Sequence, residues 1–315
     1  MSTKKRTLSI EVKMTDRCNQ QCPYCANRDG LDGSHDIDSV LFVRRLEEWA
    51  RGREDSVYDI KEVRLTGGEP LIDLDAVFGV AECCRKLNIR SGVNTNGLLL
   101  NPDRIRRLKE SGVEVVKISF DAVSPETYRL VRGPISSLDP LRDTIRELVA
   151  NRFKVIMRFT LLKPNHDQLL AAHVLAEGLG VYKFQVKPLI RSGRAEISDA
   201  FLSPGEVDEA LRELSRARAG TSLSTEVLCW PPAHGVNFFH KMCGSIDKIY
   251  VSPDMAVTIC NYIWDDRQVP LGDLSRSPLE DILRRRHAGE WSERAGRHEW
   301  LKGCPNSGHF THRPD

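Results

Sequence analysis

The sequence predicts an α/β fold, a partial (β/α)6 TIM-like barrel followed by a small irregular C-terminal extension. Three observations predict it. From residue 7 to about 190, short strand-like runs alternate with helical ones. The alternation breaks after Lys187. Three cysteines crowd the loop behind the first strand, the end of a barrel where reactive groups collect. A chain of 315 residues, 40% hydrophobic and 29% charged, is of ordinary globular composition and suits one large domain with an appendage. Its formal net charge of +2 gives no reason to expect a nucleic-acid partner or a membrane surface.

The strands are read at Leu8–Met14, Glu62–Thr66, Ser91–Thr95, Val115–Phe120, Lys154–Thr160 and Tyr182–Lys187, each short and rich in β-branched or aromatic residues. Helical spacing falls at Val40–Ala50, where Leu41, Val43, Leu46 and Trp49 share a face, and at Asp75–Leu87, Pro102–Glu110, Leu141–Val149 and Gln168–Leu179. Pro102 suits a first helical turn. Repeated strand–helix units imply parallel strands with right-handed crossovers, and six units imply an open barrel. A doubly wound sheet fits the periodicity almost as well. Residues 191–220 read as a connecting loop and a helix opened by Ser203-Pro204, with Glu206 at capping-box spacing. Residues 221–315 read as the extension, with a hairpin across Ser252-Pro253-Asp254-Met255 and a short helix at Pro278–Arg286.

The chain has nine cysteines, an odd number with three packed together, which argues against a secreted disulfide framework and for metal ligation in a reducing compartment. Nothing resembles a signal peptide and no apolar run approaches the roughly 20 residues of a membrane span, so a cytoplasmic location is expected. Cys18, Cys22 and Cys25 have the spacing C-x3-C-x2-C. Three thiolates can hold three irons of a 4Fe–4S cubane and leave the fourth iron open to a ligand. Zinc would want a fourth protein ligand, and His35 reads as an ordinary loop histidine. Cys83 and Cys84 read as buried structural thiols.

With Tyr24 before its last cysteine, this motif resembles the signature of the radical S-adenosylmethionine (radical SAM) superfamily. Thr66-Gly67-Gly68-Glu69-Pro70 after the second strand resembles that family's GGEP segment. The resemblance implies that Gly67, Gly68, Glu69 and Pro70 meet the methionine amino group of S-adenosylmethionine. It further implies that Asn94 and the Ser119-Phe120-Asp121 segment line the cofactor pocket. Ser119 and Asp121 are then candidates for the ribose hydroxyls, and Arg158 for the cofactor carboxylate, a charge-assisted pair. Read without the resemblance, Asp121 could instead cap a helix and Arg158 could make a structural ion pair. A reduced cluster is expected to split the sulfonium and give a 5′-deoxyadenosyl radical, which needs a one-electron reductant such as flavodoxin or ferredoxin.

Cys243, Cys260 and Cys304, with the hairpin between the first two, resemble a shortened twitch or SPASM extension that holds one auxiliary 4Fe–4S cluster. Met255 stands where that family has glycine. Cys229 is either the fourth ligand or a thiol that donates hydrogen, His309 and His312 are weaker ligand candidates, and a structural zinc site is the competing reading. The chain begins about six residues before its first strand, which leaves no room for a leader-binding domain and favours a small-molecule substrate. The expected reaction is epimerisation or dehydrogenation of a sugar, aminocyclitol or nucleoside in natural-product biosynthesis. A peptide maturase and a non-catalytic metal-binding module are the alternatives. A purine-nucleotide cyclase is disfavoured, because that family ends in a glycine pair and this chain ends Arg313-Pro314-Asp315.

Overall fold

The computed structural model describes residues 5–26, 35–190, 192, 199–218, 220–230, 239–241, 248–260 and 270–288. Six strands occupy the expected places: β1 (Arg6–Lys13), β2 (Tyr58–Thr66), β3 (Arg90–Thr95), β4 (Val113–Ser119), β5 (Lys154–Leu161) and β6 (Lys183–Pro188). Between them lie α1 (Ser39–Arg51), α2 (Leu74–Lys86), α3 (Pro102–Ser111), α4 (Pro125–Arg132), α5 (Asp139–Ala150) and α6 (Leu169–Gly178). The strands follow one another in chain order and run parallel throughout. A doubly wound sheet would reverse its strand order at a switch point, and this one does not. The winding is that of a barrel left open.

The parallel order does not stop after six strands. α7 (Pro204–Ala217) carries the expected capping box of Ser203 and Glu206 and leads into β7 (Ser224–Leu228), which pairs parallel with β6. β8 (Phe239–Lys241) follows it on that edge. β7, five residues reading Ser-Thr-Glu-Val-Leu, lies where the sequence reading had placed the irregular extension. At the other edge, β9 (Lys248–Val251) lies parallel to β1, and β10 (Ala256–Thr258) and β11 (Pro270–Asp273) add antiparallel strands. α8 (Leu279–Ala288) closes the described chain. The expected hairpin is therefore present as β9–β10. Met255 takes φ 67° in its turn, and its side chain is buried.

Along β1, Leu8, Ile10 and Val12 are fully buried and join Phe42, Leu46 and Trp49 of α1 in one apolar core. Glu11 and Lys13 alternate to the other face and line the barrel interior. A closed barrel fills that interior with branched apolar side chains. Here charged and polar side chains such as Glu11, Lys13, Asn94 and Arg158 share it with apolar ones and leave an open cavity. Cys83 and Cys84 of α2 are buried in the core. No described helix is long and apolar enough to cross a membrane.

Candidate active site

The loop that follows β1 carries Cys18, Cys22 and Cys25, and the segment after β2 clamps it. Met14 donates to the Thr66 carbonyl, Gly68 to Thr15 and Glu69 to Arg17, each at 2.8 Å, so pairing of the two strands continues into the loop. Glycine is required here because the two backbones touch. A Cβ at Gly68 would lie 2.0 Å from the Arg17 carbonyl oxygen, and one at Gly67 would lie 2.6 Å from that of Thr15.

The carboxylate of Glu69 is fully buried and does not face the cavity. It accepts from the Thr95 hydroxyl at 2.7 Å and from the backbone N–H groups of Asn96 (2.8 Å) and Leu71 (3.2 Å), tying the clamp to the end of β3. Burial pushes its pKa up to about 7 despite those hydrogen bonds. Pro70 is buried as well, opening the short 3-10 turn Pro70–Ile72. Three donors of the fold thus already reach the Glu69 oxygens that the sequence reading offered to an ammonium.

Asp121 is likewise withdrawn from the cavity. It is fully buried, accepts from the Tyr24 phenol, from Arg132 Nη1 at 3.0 Å and from Thr160 N at 2.6 Å, and does not line the cavity where a ribose would lie. Arg132 donates through Nη2 to Gln20 (2.7 Å), and its carbonyl accepts from the Cys22 thiol at 3.5 Å. Arg132, Gln20 and Ser136 therefore brace the cysteine loop from behind, and none of the three was singled out by the sequence. The available signal was Ser124-Pro125 with Gly133 eight residues beyond the proline, a cap-and-stop pair that brackets α4.

A cavity of about 600 Å³ opens at the C-terminal ends of the strands. Cys18, Cys22, Cys25 and Tyr24 line it on one side. Gly67, Gly68, Asn94, Ser119 and Arg158 line it on others, and His35 stands at its rim. Asn94 Oδ1 and Arg158 Nε are buried without hydrogen-bond partners. From the extension, Cys260 reaches the cavity, whereas Cys229, at the end of β7 with φ 55°, does not line it. Cys243, Cys304, His309 and His312 lie outside the described residues.

A family profile described as the radical SAM superfamily matches residues 12–174, just over half of the chain. The chain belongs to the radical SAM superfamily. Among curated relatives, a GTP 3′,8-cyclase of Clostridium perfringens is 31% identical over 172 residues, 51% of this chain and 49% of that enzyme. The chain thus spans about half the length of that relative. An AdoMet-dependent heme synthase of Methanosarcina barkeri is 25% identical over 295 residues, 87% of this chain and 81% of that one. Among solved structures, Streptococcus suis SuiB bound to S-adenosylmethionine superposes with a TM-score of 0.71 over 88% of this chain and 65% of that chain, at 13% identity. At that identity the likeness speaks for the fold alone.

The superfamily uses a 4Fe–4S cluster and S-adenosylmethionine, and the residues present fit both. Three thiols on one loop face the cavity, and no three His, Cys, Asp or Glu side chains among the described residues close around a single metal ion. A cubane does not ask for that convergence, because each thiolate binds its own iron. Burial pushes the Cys18 thiol up to about 11 and raises Cys22 as well, so both are neutral until iron displaces their protons. The unpartnered Asn94 Oδ1 and Arg158 Nε await a polar ligand.

Proposed function

We propose that this radical SAM enzyme generates a 5′-deoxyadenosyl radical and directs it at a small carbohydrate-like molecule, a sugar, aminocyclitol or nucleoside, to epimerise or dehydrogenate it. The observation that carries this reading is the placement of Cys18, Cys22 and Cys25 on one wall of a cavity whose other walls bear Gly67, Asn94, Ser119 and Arg158. A 4Fe–4S cluster held by Cys18, Cys22 and Cys25 would supply one electron to a sulfonium, given a reductant such as flavodoxin or ferredoxin. The remaining work belongs to the chain. The Gly67-Gly68 clamp fixes the cysteine loop, and Arg132 and Asp121 hold Tyr24 behind it. Ser119 and Asn94 offer hydrogen-bonding groups for the cofactor, and Arg158 offers a guanidinium for its carboxylate. A cavity of about 600 Å³ is of small-molecule size, within the range of roughly 300–1,000 Å³. Of the three substrate kinds, a nucleoside gains support from the relative named for GTP.

Cys243, Cys260, Cys304 and Cys229 form the second ligand set of this reading, for one auxiliary cluster. The position of Cys260 in the cavity supports an auxiliary centre beside the substrate. The test is anaerobic reconstitution, reduction and chromatography of 5′-deoxyadenosine. Replacing Cys18, Cys22 and Cys25 by alanine removes about four irons and all 5′-deoxyadenosine. Product persisting in that triple variant overturns the proposal. Cys229→Ala separates its two roles: lost iron marks a ligand, and abortive turnover with iron retained marks a hydrogen donor.

A further inference from the structure

A buried ion pair backs the cysteine loop, and its two charges are not equally placed toward it. Arg132, in the last turn of α4, is 7% exposed, Asp121 is fully buried, and the two meet at 3.0 Å. The guanidinium is held from several sides. Nη1 donates to Asp121 and to the Tyr24 phenol oxygen, each at 3.0 Å, and Nη2 donates to Gln20 Oε1 at 2.7 Å. Gln20 Nε2 donates to the Ser136 hydroxyl at 2.6 Å, and that hydroxyl donates to the Arg132 carbonyl at 3.0 Å. The Cys22 thiol reaches the same carbonyl at 3.5 Å and Gln20 Oε1 at 3.9 Å. Gln20, Cys22 and Tyr24, alternate residues of the loop, therefore all bond to Arg132.

Arg132 borders the cavity that Cys18, Cys22 and Cys25 line, and Asp121 does not. The carboxylate is also divided among three donors, since the Tyr24 phenol and Thr160 N share it with Arg132. Arg132 Nε is buried without a hydrogen-bond partner among the described residues. Burial raises the pKa of the Cys22 thiol, and Arg132 is the strongest charge acting against that rise, ahead of the opposing Asp121. Screening is weak here, because Cys22, Tyr24, Val131, Leu162 and Leu189 form an apolar cluster with Cys25 packed against it. Reduction of a 4Fe–4S cluster adds one negative charge, and the charges and burial around it set its potential. A cation placed closer than its counter-ion favours the reduced form.

We propose that Arg132 is a positioning residue for the 4Fe–4S cluster of Cys18, Cys22 and Cys25, and that its charge raises the reduction potential of that cluster while Asp121 opposes it. This goes beyond the reaction proposed above. It rests on those three cysteines as ligands and holds whichever substrate is used. The pair eases the one-electron reduction on which the 5′-deoxyadenosyl radical depends, without touching the substrate.

The test is an anaerobic redox titration of the reconstituted full chain, followed by electron paramagnetic resonance. The signal read is the one that changes on adding S-adenosylmethionine and is missing when Cys18, Cys22 and Cys25 are all alanine. Its absence from the wild type sinks the ligand reading, and this proposal with it. At a fixed potential, Arg132→Gln lowers the reduced-to-oxidised ratio of that signal by about tenfold, ~59 mV for one electron. Asp121→Asn shifts the ratio the opposite way, by about threefold or more. Arg132→Lys keeps the charge but loses the fork, and stays within about threefold of the wild type. A brace with no electrostatic effect would cost iron in Arg132→Gln and Arg132→Lys alike and leave the ratio of the loaded fraction unchanged. The proposal is overturned by an unchanged ratio in Arg132→Gln with iron retained, by Arg132→Lys falling as low as Arg132→Gln, or by Asp121→Asn failing to raise the ratio. If Arg132→Gln takes up no iron, Asp121→Asn decides alone.

Discussion

Replacing Gly68 by alanine places a methyl carbon 2.0 Å from the Arg17 carbonyl oxygen, 2.5 Å from its carbon and 2.7 Å from the Asp16 carbonyl oxygen. All three atoms are backbone, so no side chain can swing aside. Bringing the nearest contact out to 3.0 Å, the shortest a real Cβ tolerates, takes a shift of about 1 Å between the clamp and the cysteine loop. The hydrogen bonds from Gly68 N to Thr15 and from Glu69 N to Arg17 stretch with it, at about 1 kcal/mol each. Overpacking adds about 1–3 kcal/mol, for a total of about 3–5 kcal/mol. A displacement of that size at a reacting centre lowers the rate by about a hundredfold. Urea denaturation, iron content and 5′-deoxyadenosine formation read the three consequences. Gly79→Ala is the internal control: it lies inside α2 with nothing within 4 Å of the added carbon, and it stabilises by about 0.5–1 kcal/mol. If Gly68→Ala retains wild-type stability and iron, the clamp argument is wrong.

Three further outcomes follow from the same geometry. Arg132→Met leaves the Asp121 carboxylate buried without its 3.0 Å partner and costs about 3–5 kcal/mol in urea denaturation. Adding Asp121→Asn recovers part of that loss, and strict additivity of the two changes would refute the pairing. Glu69 has a folded pKa of about 7 against an ordinary 4.5, so its protonated form is favoured in the native state. Its contribution to stability is greatest below pH 4.5 and declines as the pH rises to about 7, by about 3 kcal/mol at roughly 1.4 kcal/mol for each pH unit. Stability measured from pH 4.5 to 7.5 therefore falls less steeply in Glu69→Gln than in the wild type; identical slopes would refute it. Met255→Gly relieves a left-handed backbone worth about 1–2 kcal/mol but deletes a buried side chain worth about 2–5 kcal/mol, so the melting temperature drops; a rise would show that strain dominates.

Local patterns made much of the fold and the cysteine loop legible. The six strands announced themselves by β-branched runs, and α7 by Ser203-Pro204 and Glu206, because those signals act within one turn or one strand. Cys18, Cys22 and Cys25 were recognisable because their spacing along one loop already limits how their thiols can be arranged. The count of six units pointed to an open barrel, but periodicity alone did not fix the winding. Periodicity reports which face of an element is apolar, and a barrel and a doubly wound sheet share that periodicity; only the strand order separates them.

The sequence by itself determined the strand–helix rhythm, the reactive loop and the glycine pair that follows β2. Tertiary structure alone decided what those glycines and carboxylates do. Gly68 is needed by the backbone of Arg17, some fifty residues earlier in the chain, and Glu69 and Asp121 turn away from the cavity to hold Thr95, Asn96 and Arg132. Likewise Arg64, Lys117, Arg158 and Lys248 come from four separate strands to act on Glu11, and of these the sequence had marked Arg158 alone. Charges interact through space and not along the chain, so this grouping exists only once the sheet has brought the strands together.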